Sequence, residues 1–189
     1  MVRIYVVDNG GQWTHREWRT LRDLGIDTAI VANTASYQAV RDADGLVLSG
    51  GAPRMGLEKE LGNCRELLEK ARVPILGICA GHQFIAHFYG GEAAPAKIPE
   101  FGKTRLMRTN VESPLFEGVP NQSIVWESHN DEVTVLPKEF ECLGISEDCP
   151  IQAMQHKKEP LYGLQFHPEV EHTEYGELMF RNFIDLCKK

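Results

Sequence analysis

The chain has 189 residues, of which 42% are hydrophobic and 25% are charged. This length and composition are typical of one folded domain and exclude disordered and collagen-like chains, so we expect residues 1–189 to form a single domain. A net charge of −7 argues against binding to nucleic acids or anionic membranes, because those surfaces are bound through clustered Lys and Arg.

The apolar segments are too short for membrane insertion, which needs roughly 18 consecutive apolar residues. Residues 1–8 form a short apolar run that ends in an acid, without a small-residue cleavage site, and therefore predict a first strand. The five cysteines form no Cys-x-x-Cys pair and no His spacing typical of zinc sites. We expect a cytoplasmic protein with reduced thiols and no metal site.

The first 90 residues alternate short apolar runs with helical patterns, which is typical of a parallel α/β sheet. Gly25 is expected to end the first helix in the left-handed conformation. The patterns predict strands at 2–8, 27–31, 45–48 and 73–78, and helices at 15–24, 58–71 and 83–89.

The second half predicts shorter, partly antiparallel strands and a closing amphipathic helix. Gly102 and Lys103 are interpreted as a turn into the next strand. The predicted strands lie at 104–108, 123–126, 141–145, 151–155 and 161–166, and the helix at 175–186. The fold class is therefore α/β, with three layers, a mostly parallel central sheet between helices, and a smaller antiparallel region.

Residues 77–83 read Gly-Ile-Cys-Ala-Gly-His-Gln, between a predicted strand and a predicted helix. A nucleophile on a sharp strand-to-helix turn needs small residues two positions before and two after it, and Gly77 and Gly81 meet this requirement. The start of a helix also favours a thiolate. The segment is compatible with a buried structural cysteine as well, but the strand and helix context favours Cys79 as a nucleophile.

A nucleophilic cysteine needs a base, which a third, acidic group usually orients. Residues 166–169 read Phe-His-Pro-Glu, and we predict His167 as the base and Glu169 as the orienting group. Taken alone, this segment would be compatible with an ordinary turn. The oxyanion of an acyl-transfer reaction needs N–H donors, for which the backbone of Ala80 and the Gly50-Gly51 loop are the candidates.

These segments, together with Leu-Ser-Gly-Gly-Ala-Pro at 48–53 and Ser-His-Asn-Asp-Glu-Val at 128–133, resemble the class I (triad) glutamine amidotransferases. The resemblance implies a flavodoxin-like glutaminase fold, in which Cys79 attacks the side-chain amide of glutamine, His167 transfers the proton and Glu169 orients His167. It also implies oxyanion N–H groups on Gly51 and Ala80. The residues it implies for holding glutamine are Gly50, Gln83, Ser128, His129 and Asp131.

Within this family, the Ser-Gly-Gly loop and the residues after Glu169 look like the glutaminases of GMP synthetases of the two-subunit, archaeal style. The resemblance implies a separate ATP-pyrophosphatase subunit that binds ATP and Mg²⁺ and aminates XMP, while this chain needs no cofactor. Gly102-Lys103-Thr104 does not complete a phosphate-binding loop, because Lys97 stands where that motif requires glycine. The alternatives are a glutaminase of anthranilate or aminobenzoate synthase, and a non-catalytic subunit that senses glutamine.

Several other residues are compatible with more than one role. The His129 side chain fits a core histidine as well as a substrate contact, and Trp13 fits packing on the sheet or a partner interface. Asp8 is expected to brace loops. His172 and Thr173 are placed near the mouth of the site, with the alternative that they begin the last helix and that Thr173 is its N-cap.

Overall fold

A nine-stranded sheet with four α-helices makes up the part of the chain that the computed structural model describes, residues 1–188. The helices are α1 (Thr14–Asp23), α2 (Cys64–Lys70), α3 (Ala80–Phe88) and α4 (Gly176–Cys187). The strands are β1 (Arg3–Asn9), β2 (Asp27–Ala32), β3 (Gly45–Gly51), β4 (Ile75–Ile78), β5 (Glu92–Arg108), β6 (Gln122–Val135), β7 (Phe140–Ile145), β8 (Ala153–His156) and β9 (Leu161–Leu164).

One half of the sheet is parallel. Its strands are arranged β2-β1-β3-β4-β9, and each neighbouring pair runs in the same direction. β4 is buried along its whole length, which is typical of a strand covered on both faces. The carboxyl ends of β3 and β4 lie side by side, and sites in α/β proteins form at such ends.

Helices cover both faces of this parallel half. Adjacent residues of β1 point to opposite faces, so Val6 packs with Leu21 of α1 and Phe180 of α4, whereas Val7 belongs to the core that contains α2 and α3. The expected three-layer α/β fold is confirmed. Among residues 1–188, no helix combines the length and hydrophobicity needed to cross a membrane.

The other half of the sheet is antiparallel and differs from the prediction. Residues 104–108 and 123–126 are the ends of two long paired strands, β5 of 17 residues and β6 of 14. The predicted turn at Gly102 and Lys103 is wrong, since both residues lie within β5 and pair with Glu127 and Trp126. Gly102 has φ of +94°, a conformation that glycine adopts without strain and that keeps the strand continuous.

The predicted helix at 58–71 begins later, at Cys64. Gly62, with φ of +53°, lies so close to Asn33 that an added Cβ would be 2.6 Å from its carbonyl oxygen. This left-handed residue interrupts any helix that starts before it. Residues 52–63 therefore form a loop between β3 and α2, and this loop borders the candidate site. Gly25 has the predicted left-handed conformation, with φ of +80°.

Candidate active site

Cys79 lies on a sharp turn between β4 and α3, with φ of +50° and ψ of −105°. Such a backbone conformation is strained for a residue other than glycine. A Cβ on Gly77 would lie 2.6 Å from the backbone of Gly81, and one on Gly81 would collide with the Leu48 carbonyl oxygen. Both glycines are therefore required for the turn that presents the thiol, as the sequence predicted.

His167 and Glu169 form a buried pair beside this turn. The His167 Nδ1 lies 2.6 Å from Glu169 Oε1, and the Glu169 side chain has no exposed surface. Burial lowers the pKa of His167, but the Glu169 charge and hydrogen bonding to Cys79 and Glu169 outweigh it and raise this pKa well above its usual value. The pair thus has the geometry of a base and its orienting carboxylate.

The backbone of His167 is held from both sides. Its N–H donates to the Trp126 carbonyl at 2.9 Å, and its carbonyl accepts from the Thr173 hydroxyl at 2.7 Å. The Thr173 hydroxyl also accepts from the Trp126 N–H. The alternative of Thr173 as a helix N-cap is wrong, because α4 begins at Gly176 with Tyr175 at its N-cap. Thr173 instead ties His167 to β6.

One wall of the site comes from the parallel half, and we call it the amino-terminal wall: Trp13, Glu17 and Gly50. The Trp13 ring meets the His167 ring edge-on, with centroids 4.4 Å apart. The Gly50 N–H points to Glu17 Oε1 at 3.4 Å, whereas Glu17 Oε2 has no hydrogen-bond partner although it is buried. These residues line a cavity of about 240 Å³ that also contains Cys79 and His167.

Glu17 was not predicted as a site residue. Burial and the negative charge of Glu169 raise its pKa well above the usual value, while the charge of His167 opposes them. A signal was present in the sequence, since Glu17 is four residues from Leu21 and so shares the buried face of α1.

The opposite wall consists of Gln83, Ser128, Asp131 and Arg54, and we call it the loop wall. Gln83 Nε2 donates to the Asp131 carbonyl at 2.6 Å. The Asp131 carboxylate accepts from Arg54 Nε at 2.9 Å and from the Gly56 N–H at 3.0 Å, which ties the loop 52–63 to β6. A smaller cavity, of about 80 Å³, lies between this wall and Cys79.

The structure also decides the position of the His129 side chain. It is buried, with Nδ1 3.0 Å from the Asp131 carbonyl and Nε2 3.0 Å from Glu100, and these two contacts are those of a core histidine. Ser146 and Gln152 donate to Glu100, and Glu127 lies next to the same ring without a hydrogen-bond partner. Glu100, His129 and Cys149 could together reach a metal ion, since their ligand atoms lie within 4.8 Å of one another.

The predicted catalytic and binding residues other than Glu169 thus line two adjoining cavities that share Cys79, and Glu169 contacts His167. Asp8 braces a loop as expected, because its carboxylate accepts from the Gly10 N–H and the Thr14 hydroxyl. His172 packs against Trp126 at the surface. The larger cavity includes Gly50, Gly51, Cys79, Ser128 and His167, and the smaller includes Gly51, Cys79, Ala80, Gln83, Ser128, His129 and Asp131.

Comparison with known proteins shows the family to which the chain belongs. The family model of Glutamine amidotransferase class-I matches residues 5–186 of the chain. The chain belongs to the class-I glutamine amidotransferases.

Two full-length relatives within this amidotransferase family carry the same name, that of a glutamine-hydrolysing GMP synthase subunit. The chain is 52% identical over 188 residues to the protein of that name from Thermoplasma acidophilum, covering 99% of this chain and 94% of that protein. It is 45% identical over 188 residues to its counterpart from Archaeoglobus fulgidus, covering 100% of both.

Solved amidotransferase structures show the same fold. The crystal structure of a Thermoplasma acidophilum protein assigned as a GMP synthase subunit, 52% identical, superposes with a TM-score of 0.94 and covers 99% of this chain and 94% of that chain. A glutamine amidotransferase from Thermotoga maritima is only 20% identical, yet its TM-score is 0.76, with 97% of this chain and 81% of that chain covered.

Proposed function

We propose that the chain is the glutamine-hydrolysing subunit of a two-subunit GMP synthase, which hydrolyses glutamine to glutamate and ammonia. The observation that carries this proposal is the strained turn at Cys79 beside the buried His167–Glu169 pair. The names of the two full-length relatives support GMP synthesis as the pathway.

In the proposed reaction, the Cys79 thiol gives its proton to His167 and the sulfur attacks the side-chain carbonyl carbon of glutamine. The backbone N–H groups of Gly51 and Ala80 would stabilise the oxyanion. His167 then passes the proton to the departing nitrogen, so that ammonia leaves and a glutamyl thioester remains. Water, deprotonated by His167, attacks the thioester and releases glutamate and the thiol.

The loop wall would hold the amino-acid end of glutamine. Gln83 uses its amide nitrogen on Asp131 and Gln165, which leaves its oxygen free to accept from the glutamine ammonium group. Ser128 and His129 would contribute backbone groups. The Asp131 carboxylate already binds Arg54 and Gly56, so we propose that it acts by closing the loop 52–63 over the substrate.

The second subunit would be an ATP-pyrophosphatase that uses ATP and Mg²⁺ to activate XMP for amination. The test mixes this chain with such an ATP-pyrophosphatase, ATP, magnesium and XMP, each also omitted in turn, and measures glutamate release from glutamine. We expect a large increase that requires both the partner and XMP. The rate could instead stay flat with this partner and increase with chorismate and the chorismate-binding component of anthranilate synthase. That result would overturn the assignment to GMP synthesis but would still support glutamine hydrolysis at Cys79.

A non-catalytic glutamine sensor is the remaining alternative. A diazo-ketone analogue of glutamine alkylates only an activated cysteine, and mass spectrometry of the peptide that contains Cys79 detects it. We expect complete labelling at Cys79. An unlabelled Cys79 in the presence of the partner would favour the sensor.

A further inference from the structure

A buried side-chain amide faces the sulfur of Cys79. Gln165 follows β9 and has no exposed surface, and its Nε2 lies 3.7 Å from Cys79 Sγ, within the range of an N–H···S hydrogen bond. Its backbone N–H donates to the Gln152 carbonyl at 2.8 Å, which fixes the strand end from which the side chain extends. In the proposed reaction, Gln165 only accepts a hydrogen bond from Gln83.

The orientation of this amide follows from its neighbours. The Asp131 carbonyl oxygen can only accept, so the Gln83 atom 2.6 Å away must be the amide nitrogen. The same nitrogen lies 3.0 Å from Gln165, which must therefore present its oxygen to Gln83. The remaining group of Gln165 is its NH₂, and it faces the sulfur.

Away from the thiol, this chain of hydrogen bonds continues to two buried residues, His129 and Glu100. The Asp131 carbonyl also lies 3.0 Å from His129 Nδ1, which must donate to it. The other nitrogen of His129 contacts Glu100. A continuous line of buried polar groups thus runs from Glu100 to the nucleophile, and from the Asp131 carbonyl onward each contact leaves the next amide one possible orientation.

We propose that Gln165 is a further catalytic residue, whose side-chain N–H donates a hydrogen bond to the Cys79 sulfur and stabilises its thiolate. The proposal rests on the proposed function, in which Cys79 attacks glutamine. The bond is strongest when the sulfur is charged, before attack and again when the tetrahedral intermediate formed by water expels the thiolate, and weakest in the neutral thioester. Gln165 therefore assists both the formation and the departure of the thiolate.

The test compares Gln165→Glu and Gln165→Met with the matched control Gln155→Met. The glutamate variant keeps an oxygen toward Gln83 and replaces the N–H that faces the sulfur. Gln155 lies on β8, where it bonds the Glu112 carbonyl and the Glu141 carboxylate, away from the thiol. The rate at which iodoacetamide modifies Cys79 is read by mass spectrometry, and kcat and KM for glutamine are measured with the partner subunit.

We expect both Gln165 variants to react with iodoacetamide about 10- to 100-fold more slowly than wild type, the range for a hydrogen bond to a charged group. The thiolate ultraviolet absorbance should fall in parallel, kcat should fall by a similar factor, and KM should stay within about threefold. Gln155→Met should match wild type in all of these.

A purely structural role gives a different result. The proposal is overturned if the alkylation rate and the thiolate absorbance are unchanged while KM rises or Tm falls. Iodoacetamide needs neither glutamine nor a partner subunit, so the alkylation comparison judges Gln165 even if the wild-type complex releases no glutamate. A wild-type complex that releases no glutamate would count against the proposed function and not against the role of Gln165.

Discussion

The two walls around Cys79 differ in how completely their polar groups are bonded. On the amino-terminal wall, Glu17 makes one long hydrogen bond and leaves a buried oxygen without a partner. On the loop wall, Asp131 bonds Arg54, Gly56 and Gln83. The cavity beside the first wall has about three times the volume of the other.

We infer from this difference that the loop wall recognises the substrate and the amino-terminal wall supports proton transfer. On the loop wall, Asp131 and the Gln83 amide nitrogen are bonded, which holds the wall in place and leaves the Gln83 oxygen to recognise one ligand. On the amino-terminal wall, Glu17 has a buried oxygen without a partner, so the protonation of Glu17 depends on the charges around it. This wall, next to His167, therefore suits proton transfer. We therefore expect substitutions on the loop wall to change KM, and substitutions near His167 to change kcat or the pH dependence.

The largest effect is expected at Cys79, which both walls share. Cys79→Ala removes the nucleophile and should lower glutamate release by about 10⁴-fold or more. In the complex, GMP formation from added ammonium should be unchanged, because the second subunit needs only ammonia. Loss of both activities in a folded variant would contradict this division between the subunits.

Glu169→Gln should have the next largest effect, a decrease in kcat of about 10²- to 10⁴-fold, because the imidazole loses its orienting carboxylate. The Glu169 charge also raises the pKa of His167, so removing it should shift the His167 titration to lower pH, as followed by NMR. KM for glutamine should change little. A variant with altered KM and unchanged kcat would show that the two walls do not divide the tasks as described.

Arg54→Met should affect the loop wall. It breaks the ion pair that ties the loop 52–63 to Asp131, and we expect KM for glutamine to rise about tenfold, the equivalent of about 1.4 kcal/mol, with kcat within about twofold. Arg181→Met is the control, since Arg181 pairs with Glu177 on the surface of α4 and touches neither wall nor the loop 52–63. Equal KM values in the two variants would show that the Arg54–Asp131 ion pair does not contribute to glutamine binding.

The smallest effect concerns stability. Because the folded-state pKa of Glu17 is raised, this residue stabilises the fold below its unfolded-state pKa, and that contribution is lost as pH rises through the folded-state pKa. Glu17→Gln stays neutral, so its Tm should exceed that of wild type by about 2–4 °C at pH 8 and by less at pH 4, as measured by calorimetry. The exposed Glu177→Gln should show no such difference. A constant Tm offset would mean that Glu17 is not the titrating group.

The sequence predicted features that depend on neighbouring residues. The turn at Cys79 needs two glycines within five residues, and His167 and Glu169 are two positions apart, so both patterns are visible without knowledge of the fold. The parallel strands were recognisable because buried strands are continuous apolar runs.

Features that depend on distant residues were not predicted. The contact between Gln83 and Gln165 joins residues 82 positions apart, and nothing local distinguishes a buried glutamine from an exposed one. The β5–β6 pair was underestimated because Pro95 and Pro99 argue against a strand, whereas the structure places an irregularity in the pairing between Pro95 and Glu100.

The backbone at Cys79 has a consequence for how this chain could evolve. Glycine adopts a φ of +50° without strain, so a chain selected for stability alone would favour glycine at this position. Cysteine at this position makes the fold less stable than glycine would, and selection retains it because the thiol is needed for the reaction. A lineage that no longer used the thiol would gain stability by a single substitution, Cys79→Gly. Its protein would then have a higher Tm and no activity at this site.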